Sequence, residues 1–313
     1  MVSRVTGTWK RGWVIAALGV ALAALMALHG ALPNGVRNLG SLVETFLPWL
    51  GLAIPVLAGL AVYRRSAPAG IAVLLPLVVW LALFGEIILP AKGGGSHDLR
   101  VVSNNVHAGN ADPAATVRGL IEAHADVIGL QEFAADERSS YEQPLAQAYP
   151  YHAVRGTVGL WSRFPITEVH AVDLRLGWDR ALRAVIAAPG GEVAIYVAHM
   201  PSVRVDVGEG FTADQRDASA EALGEAIAAD GLSRVILLAD LNGSVYDRAL
   251  SPITAQLDSA QAAAGDGFGF SWPASFPMAR IDHVLIRGVT AAHAWVLPAN
   301  GSDHRPVAAD LHL

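Results

Sequence analysis

The chain has 313 residues, of which 53% are hydrophobic, a formal net charge of −6 and no cysteine. Its mean hydropathy of +0.38 is too high for an ordinary soluble domain, and the absence of cysteine excludes a disulfide framework. The hydrophobic residues are concentrated near the N-terminus, where residues 12–36, 45–63 and 66–85 contain no Lys, Arg, Asp or Glu. This distribution favours a membrane region followed by a separate globular domain.

Each of the three uncharged stretches has about the 20 residues that a helix needs to cross the hydrocarbon core of a bilayer. They predict three transmembrane helices, at about 13–32, 40–62 and 69–90, in a membrane region of residues 1–92. For the first stretch, the alternatives are a cleaved signal peptide and a buried core helix. Two further apolar stretches follow it, so membrane insertion is expected under either interpretation.

The basic residues that flank the predicted helices indicate their orientation. Five lie on the side of the N-terminus and two on the other side, namely Arg4, Lys10, Arg11, Arg64 and Arg65 against Arg37 and Lys92. This bias predicts a multi-pass protein of the cell membrane with a cytoplasmic N-terminus. With three spans, the C-terminal domain is then extracytoplasmic.

A short Gly-rich linker at 93–97 precedes the domain at 98–313, and the charge balance changes there. Residues 1–96 carry 7 basic and 2 acidic side chains, whereas residues 97–313 carry 15 basic and 26 acidic ones, a net charge of −11. This charge weighs against a long basic groove, so no stable complex with nucleic acid is expected. A bound divalent metal ion is an alternative source of local positive charge.

The C-terminal part predicts interleaved strands and helices, with several of the strands antiparallel. Strands are expected at 98–106, 126–131, 157–162, 166–172, 234–239, 281–286 and 305–312, a hairpin at 181–199, and helices at 113–124, 136–148 and 212–229. Asp112 before Pro113 fits a helix N-cap followed by proline at the first helical position. The pattern predicts an α+β domain of two packed sheets with helices outside them.

Five motifs in this domain share one feature, a carboxylate, amide or imidazole at the end of a hydrophobic run of strand length. The runs are RVVSNNVH at 100–107, DVIGLQEF at 126–133, RVILLADLNG at 234–243, RIDHVLIR at 280–287 and GSDHRPV at 301–307. Their polar side chains are Asn105, Glu132, Asp240, Asn242, Asp282, Asp303 and His304. Because a layered scaffold gathers strand ends in one place, these residues are candidates for one metal and acid–base site.

Glu132 and the segment Asp240-Leu241-Asn242 carry groups suited to a hard cation and a phosphate. Mg²⁺ prefers carboxylate, amide and water oxygens, and Glu132 directly follows an apolar run. Side chains alternate along a strand, so Asp240 and Asn242 face the same way, suited to orienting a water molecule and a phosphoryl oxygen. The alternatives are an ordinary charged strand exit for Glu132 and an Asp/Asn turn, reinforced by Gly243, for the second motif.

Asp303 and His304 are adjacent at a strand end, where the two side chains can flank one site with Asp303 facing a metal ion. Asp282 is the obvious carboxylate partner for His304, and such a pair fixes the tautomer of an imidazole and raises its pKa. A polar surface loop is the alternative. His199 ends the run AIYVAH and is a second strand-end imidazole, although a lone histidine there is more often structural.

Arginine and aromatic side chains complete the candidates. Arg183, Arg216 and Arg280 are candidates for phosphate contacts, with surface salt bridges as the alternative for each. Residues 267–277 contain three Phe and one Trp. These aromatic side chains either pack the end of the sandwich or line a wall that receives a lipid or a ring.

Together, these motifs resemble the endonuclease/exonuclease/phosphatase superfamily over residues 98–313, with ADLN and SDHRP as the most specific matches. The resemblance implies a deoxyribonuclease I-like, four-layer α/β/β/α sandwich. It also implies a metal-dependent phosphoric ester hydrolase that uses Mg²⁺, with Mn²⁺ as the alternative ion. Asn105 and Glu132 would belong to the metal site, and Asp303 would support the metal or the attacking water.

The same resemblance implies roles for the other motif residues. Asp240 would orient or deprotonate the attacking water, and Asn242 would hold the phosphate. His304, paired with Asp282, would stabilise the charge of the phosphorane. His199 matches the position where the family uses His or Tyr near the phosphate.

The layout of short membrane helices before this domain also resembles the actinobacterial vancomycin/teicoplanin-resistance membrane proteins of the same superfamily, which are thought to act on lipid-linked cell-wall intermediates. The expected function is a membrane-anchored phosphohydrolase or phosphodiesterase that acts outside the cytoplasm on a lipid-linked phosphate or an envelope phosphoester. Two alternatives stay open, an extracytoplasmic metal-dependent nuclease and a catalytically inactive protein that binds an envelope ligand. The expected partners are the membrane and a phosphoester substrate.

Overall fold

The computed structural model describes residues 11–88, 95–206 and 210–313. The chain divides into two compact units, Met1–Leu89 and Pro90–Leu313. Some of the sequence features lie outside the described residues, namely Arg4, Lys10, Lys92, the end of the third predicted span and the start of the predicted linker.

The first unit is helical and apolar. Its α-helices are α1 (Trp13–Ala27), α2 (Leu39–Thr45), α3 (Ala53–Tyr63) and α4 (Ala67–Ile88), with 3₁₀ turns at His29–Ala31 and Leu47–Leu52. Aliphatic side chains of α1, α3 and α4 form a small core. A glycine allows α1 to approach α4 closely, since a Cβ at Gly19 would lie 3.2 Å from the carbonyl oxygen of Ala72.

The prediction of three transmembrane helices is wrong, because the described residues contain one helix that could cross a bilayer, or two if a bent pair of helices is counted as one span. α1 ends after 15 residues, and the chain continues as a 3₁₀ turn instead of an α-helix to residue 32. The helical segment Leu47–Tyr63 is bent by 71° from α2, next to Pro48, which lacks the N–H that a continuous helix needs. Among the described residues, α4 is the one unbroken helix long and apolar enough to cross a bilayer, and the bent pair is a second span if it is counted as one.

The described residues of the second unit form two six-stranded sheets and a small two-stranded one. Its strands are β1 (Leu99–Asn105), β2 (Val127–Gln131), β3 (Tyr151–Arg155), β4 (Val158–Ser162), β5 (Ile166–Ala171), β6 (Ala181–Ala188), β7 (Gly191–His199), β8 (Val205–Asp206), β9 (Gly210–Phe211), β10 (Val235–Asp240), β11 (Asp258–Ser259), β12 (Asp282–Arg287), β13 (Thr290–Val296) and β14 (Val307–His312). Its α-helices are α5 (Pro113–Glu122), α6 (Arg138–Ala148), α7 (Asp214–Ala228), α8 (Ser251–Thr254) and α9 (Ala260–Ala264).

The two large sheets are mixed. The first has the order β13-β14-β1-β2-β4-β3 and the second the order β11-β12-β10-β7-β6-β5. β1 pairs with β2 in parallel, and β7 pairs with β10 in parallel, whereas the other neighbours are antiparallel. The parallel pairs bring the carboxyl ends of β1 and β2 to one edge of the first sheet and those of β7 and β10 to one edge of the second.

The sheets pack face to face through one aliphatic core, to which β2 contributes Val127 and β10 contributes Ile236 and Leu238. Apolar side chains of α5 and α6 cover the outer face of the first sheet, and those of α7 cover the outer face of the second. The predicted four-layer α/β/β/α sandwich is thus confirmed. Asp112 caps α5 as expected, because its carboxylate accepts a hydrogen bond from the backbone N–H of Ala115.

Candidate active site

Strand register brings three of the predicted residues together. In the second sheet, Asp240 lies beside His199 on the parallel neighbour and opposite Asp282 on the antiparallel neighbour. Nδ2 of Asn105, at the end of β1 in the first sheet, donates a hydrogen bond of 2.9 Å to Oδ2 of Asp240. Strand ends of both sheets therefore contribute to one cluster.

The segment after β10 is both a tight turn and part of this cluster. The backbone N–H of Asn242 donates to Oδ1 of Asp240 at 2.9 Å, and Asn242 itself has a φ of 47°. Its Nδ2 donates to the carbonyl oxygen of Met200 at 3.0 Å and to Oδ2 of Asp240 at 3.3 Å. Asn242 therefore stabilises the conformation of Asp240, and its predicted role in holding the phosphate stays a prediction.

Glu132 follows β2 and also has a left-handed backbone, with a φ of 54°. Oε2 of Glu132 accepts a hydrogen bond from the backbone N–H of Ala108 at 3.1 Å. Oε1 lies 3.4 Å from Nε2 of His199, whose ring is 3.7 Å from Oδ2 of Asp240. The left-handed turn thus directs the Glu132 carboxylate toward the cluster at the edge of the second sheet.

Asp240 is almost completely buried, with 1% of its surface exposed. Burial and the charge of Asp282 raise the pKa of Asp240 above the usual range, against the opposing effects of His304 and Asn105. A carboxylate in this position has a stronger affinity for protons than one in water. It is suited to accept a hydrogen bond from a nucleophilic water molecule.

His304 pairs with Asp282 through a hydrogen bond of 2.8 Å between Nδ1 and Oδ2. Burial disfavours the charged imidazole, but the charge and hydrogen bond of Asp282 outweigh it and raise the pKa of His304 to about 10. His304 is therefore an imidazolium at neutral pH. Its Nδ1–H is directed to Asp282, which leaves Nε2–H as the donor available to a ligand.

His199 is 4% exposed and has an arginine partner that the sequence did not indicate. Nη2 of Arg180 lies 2.5 Å from Nδ1 of His199 and 3.2 Å from the carbonyl oxygen of Met200. Burial and the charge of Arg180 hold the pKa of His199 well below its usual range. His199 is therefore a neutral imidazole. Arg180 lies just before β6, where no local pattern distinguishes it from a surface residue.

Asp303 lies at the exposed side of the cluster, and 46% of its side chain is accessible. Its Oδ1 is 3.2 Å from Nδ1 of His107, which is 3.8 Å from Oε2 of Glu132. His107 was missed in the sequence, although it ends the run that contains Asn105. The backbone N–H of His107 donates to Oδ1 of Asn105 at 2.9 Å, so the loop after β1 connects these residues.

Arg183 is not brought to this cluster, in contrast to the expectation of a phosphate contact. Nε and Nη2 donate to the two carboxylate oxygens of Asp230 at 2.6 and 3.0 Å, and Nη1 donates to Glu168 at 3.1 Å. This bidentate pair raises the pKa of Arg183 above its usual range. The guanidinium is therefore engaged in a structural ion pair, the alternative stated above.

Arg216 and Arg280 are buried and not at the surface. Nη1 of Arg216 donates to the carbonyl oxygen of Asn242 at 3.3 Å, and Nη2 lies 2.7 Å from Oδ2 of Asp247. Arg216 thus supports the turn that holds Asp240. The guanidinium of Arg280 lies over the ring of Tyr246 at 5.9 Å from its centroid.

The aromatic segment 267–277 divides into two parts. The rings of Phe268 and Phe270 stack at 5.2 Å, whereas Trp272 and Phe276 are 38% and 66% exposed. The backbone N–H of Ala274 donates to the carbonyl oxygen of Asp303 at 2.7 Å, so the segment is joined to the loop of the site. Phe268 and Phe270 thus pack against each other, whereas a wall for a lipid or a ring at Trp272 and Phe276 stays a prediction.

The donor set fits a hard divalent cation. Among the described residues, two groups have ligand atoms within 4.8 Å of one another, Glu132 with His199 and Asp240, and Asp240 with Asp282 and His304. Carboxylate oxygens dominate both groups, as Mg²⁺ and Mn²⁺ prefer. Oδ1 of Asp282 is buried and has no hydrogen-bond partner in the part of the chain that the structure describes. Asn105 contacts the site through Asp240, and Asp303 belongs to neither group.

Residues 102–304 match the model of the Endonuclease/Exonuclease/phosphatase family, which is more than half of the chain. The chain belongs to this family. Members of the family are typically metal-dependent phosphoester hydrolases. The ADLN motif, which carries Asp240, lies within the matched residues, and the match ends at His304 of the SDHRP motif. No curated protein matches the chain.

Several solved structures share the fold. TDP2 of D. rerio complexed with single-strand DNA product is 17% identical, with a TM-score of 0.58, and the match covers 69% of this chain and 99% of TDP2. A doubly substituted mutant of the beta toxin from Staphylococcus aureus, with bound magnesium ions, is 16% identical, with a TM-score of 0.54 and coverage of 68% and 99%. Sphingomyelinase C of Streptomyces griseocarneus is 20% identical, with a TM-score of 0.52 and coverage of 69% and 99%.

Proposed function

We propose that the protein is a membrane-anchored, Mg²⁺-dependent phosphoric ester hydrolase that acts outside the cytoplasm on a lipid-linked phosphate or an envelope phosphoester. The observation that carries the proposal is the convergence of Glu132, His199, Asp240 and the His304–Asp282 pair at strand ends of the two sheets. All of these side chains are of types that bind a metal ion or move a proton. Their chemistry, and not the fold alone, supports hydrolysis.

Phosphoryl transfer needs positioning and neutralisation of charge more than covalent catalysis. Glu132 would hold the Mg²⁺ ion with Asn105 and Asp303 nearby, and the bound ion supplies Lewis-acid stabilisation of the phosphate charge. Asp240 accepts a hydrogen bond from the attacking water and holds it in line with the phosphorus atom. The raised pKa of Asp240 suits this role, because a more basic acceptor polarises the water more strongly.

The two histidines act on the phosphate in this proposal. His304 is an imidazolium whose Nε2–H donates to a phosphoryl oxygen, while Asp282 keeps the ring charged and oriented. His199 is a neutral donor beside Glu132 and Asp240. The negative charge that develops on the phosphate in the transition state is thus stabilised by hydrogen-bond donors that the fold already holds in position.

The apolar unit supports a membrane anchor and a lipid-linked substrate. Only 22% of the apolar window of α4 is buried, so most of this helix presents Leu, Ile and Val to its surroundings, unlike the core helix of a soluble protein. A tether to the bilayer raises the effective concentration of a substrate that is held in the same bilayer. The net charge of −11 in residues 97–313 disfavours a polyanionic polymer as substrate.

A substrate panel with the purified full-length chain and Mg²⁺ tests the proposal. Polyprenyl diphosphate and phospholipid vesicles are compared with plasmid DNA, using Asp240→Ala as the inactive variant and the exposed Asp258→Asn as the matched control. We expect release of phosphate or of a phosphorylated headgroup from lipid, reduced about 10²- to 10⁴-fold in Asp240→Ala and unchanged in Asp258→Asn.

Two other outcomes would contradict the proposal. Rapid cleavage of DNA without lipid turnover, abolished by Asp240→Ala, would identify a nuclease, the alternative favoured by the single-strand DNA product in the TDP2 structure. Retained binding of a lipid phosphate without turnover of any substrate would identify an inactive, ligand-binding member of the family.

A further inference from the structure

Arg180, just before β6, and His199, the last residue of β7, are cross-strand neighbours in the second sheet. The backbone N–H of His199 donates to the carbonyl oxygen of Arg180 at 2.9 Å, which places the two side chains next to each other. The guanidinium is held from two further sides, by the carbonyl oxygen of Met200 at 3.2 Å and by the ring of Trp178, whose centroid is 5.0 Å away. Arg180 is therefore fixed before any ligand arrives.

The chemistry of the contact determines the proton position on His199. A guanidinium has only donors and stays protonated in proteins, so Nδ1 of His199 must accept the hydrogen bond from Nη2 of Arg180. A neutral imidazole has one proton, which then resides on Nε2. Because the guanidinium donates to Nδ1, no proton resides on that nitrogen, and the contact with Arg180 by itself excludes the doubly protonated form.

The Nε2–H of His199 points into the candidate site. Nε2 is buried and has no hydrogen-bond partner among the residues that the structure describes, with Oε1 of Glu132 at 3.4 Å and Oδ2 of Asp240 at 3.7 Å. A protonated ring nitrogen has no lone pair for a metal ion or for a proton. Although His199 lies in a group with the spacing of metal ligands, its tautomer makes it a donor.

We propose that Arg180 is a positioning residue that fixes His199 in the Nε2–H tautomer, so that His199 donates a hydrogen bond to a phosphoryl oxygen and acts neither as a general base nor as a metal ligand. The donation to phosphate rests on the function proposed above, whereas the tautomer is a property of the free protein. The two imidazoles of the site thus differ in protonation at Nδ1, which carries no proton in His199 and carries one in His304. A donor-only guanidinium holds Nδ1 of His199, and an acceptor carboxylate holds Nδ1 of His304.

Nitrogen-15 NMR of the imidazole rings tests the tautomer directly. The full-length chain in detergent is labelled at its 11 histidines, and the signals of His199 are assigned by their loss in His199→Gln. We expect a protonated Nε2 and an unprotonated Nδ1 in the wild-type protein. A protonated Nδ1 at His199 would overturn the proposal.

Three variants of arginine residues separate the contact from general effects of charge removal. Arg180→Lys keeps a group with donors only and is expected to keep the Nε2–H tautomer. Arg180→Met removes the donor, so the Nδ1–H tautomer should become populated, while the signals of His304 stay as they are. Arg175→Met removes an exposed arginine that contacts Glu225 and should change nothing. An unchanged Nε2–H tautomer in Arg180→Met would also overturn the proposal. If that variant does not fold, the NMR measurement on the wild-type protein still tests the tautomer of His199.

The catalytic consequence is measured with whichever phosphoester the substrate panel shows to be turned over. Loss of one fixed donor to a phosphoryl oxygen is expected to lower kcat of Arg180→Met about 10²- to 10³-fold, with a smaller change in KM and partial recovery in Arg180→Lys. An equal kcat in Arg180→Met and the wild-type protein would contradict the positioning role. If no substrate is turned over, the proposed function fails, while the NMR measurement still decides the tautomer.

Discussion

At the scale of single residues, the two sheets are connected chemically at Asp240. Oδ1 of Asp240 accepts from the backbone N–H of Asn242, and Oδ2 accepts from Nδ2 of Asn105. Both carboxylate oxygens of Asp240 thus accept hydrogen bonds. An asparagine in this position would not fit, because its NH₂ group is a donor and would face another donor. The buried carboxylate is retained at a cost in desolvation, which is typical of a functional position.

The His304–Asp282 pair predicts how stability depends on pH. The pKa of His304 is raised from 6.5 to about 10 by the paired carboxylate, so the folded state binds this proton more tightly than the unfolded state. The stabilisation is complete below about pH 6.5 and is lost as the pH rises toward about 10, on the order of a few kcal/mol in total.

Thermal unfolding of the wild-type protein and of His304→Gln, followed across this pH range without added metal, measures the effect. We expect the wild-type advantage in Tm to shrink steadily between about pH 6.5 and about pH 10. A difference in Tm that is the same at every pH would show that the imidazole carries no linked proton.

At the scale of elements, the strands hold the polar side chains at their ends in fixed positions, because the strands themselves are buried in the sandwich. Every residue of β10 is buried, and β2 is buried along its whole length between β1 and β4. Strands packed on both faces have little freedom to shift, so their ends are held in place. Asp240 and Glu132, which lie at these ends, are therefore held rigidly as well.

The two sheets approach each other closely at Gly129 of β2. A Cβ at Gly129 would lie 2.9 Å from Cβ of Leu238 and 3.2 Å from Cγ2 of Val197, both in the second sheet. Gly129→Ala is therefore expected to force the sheets apart locally and to lower the free energy of unfolding by about 1–3 kcal/mol.

The measurement is the Tm of the full-length protein, which should fall by about 2–4 °C for each kcal/mol lost. Gly231→Ala is the matched control, because a Cβ at Gly231 meets nothing within 4 Å. Equal Tm values for the two variants would mean that the core of the sandwich accommodates the methyl group without strain.

At the scale of the whole molecule, the proposed membrane topology depends on whether α2 and the bent segment Leu47–Tyr63 count as one span. Each transmembrane span moves the following chain to the other side of the membrane. Residues after Tyr63 would therefore lie on opposite sides in the two cases, with α2 and Leu47–Tyr63 as one span or as a re-entrant loop. The basic residues around the helices favour a cytoplasmic N-terminus, and with an odd number of spans the C-terminus would then lie outside.

Reporter fusions in cells test this topology. An enzyme that is active only outside the cytoplasm, fused after Leu313, is expected to be active, whereas the same enzyme fused after Arg65 is expected to be inactive. Activity of a cytoplasm-dependent reporter at Leu313 would place the catalytic unit inside and would rule out an extracytoplasmic substrate.

Much of the fold could be predicted from periodicity, because burial leaves a local signal in each strand and helix. The predicted strand at 234–239 corresponds to β10, and the predicted helix at 212–229 to α7. The edge strands β3 and β13 were not predicted, because exposed and half-buried residues interrupt their apolar pattern, whereas the edge strand β5 was predicted at 166–172. Hydropathy also missed the breaks in the first two predicted membrane segments, since it reports composition and not the end of α1 after Ala27 or the bend beside Pro48.

The residue types at the strand ends, among them Glu132, Asp240 and His304, could be read from the sequence, because each motif is a short contiguous segment whose side-chain chemistry is known. Which of these groups touch one another depends on long-range packing. It brought Arg180 to His199 through strand register and engaged Arg183 with Asp230. Such contacts form between segments that are far apart in the sequence. The energy of the contact does not depend on the neighbouring residues in either segment, so no local sequence pattern indicates it.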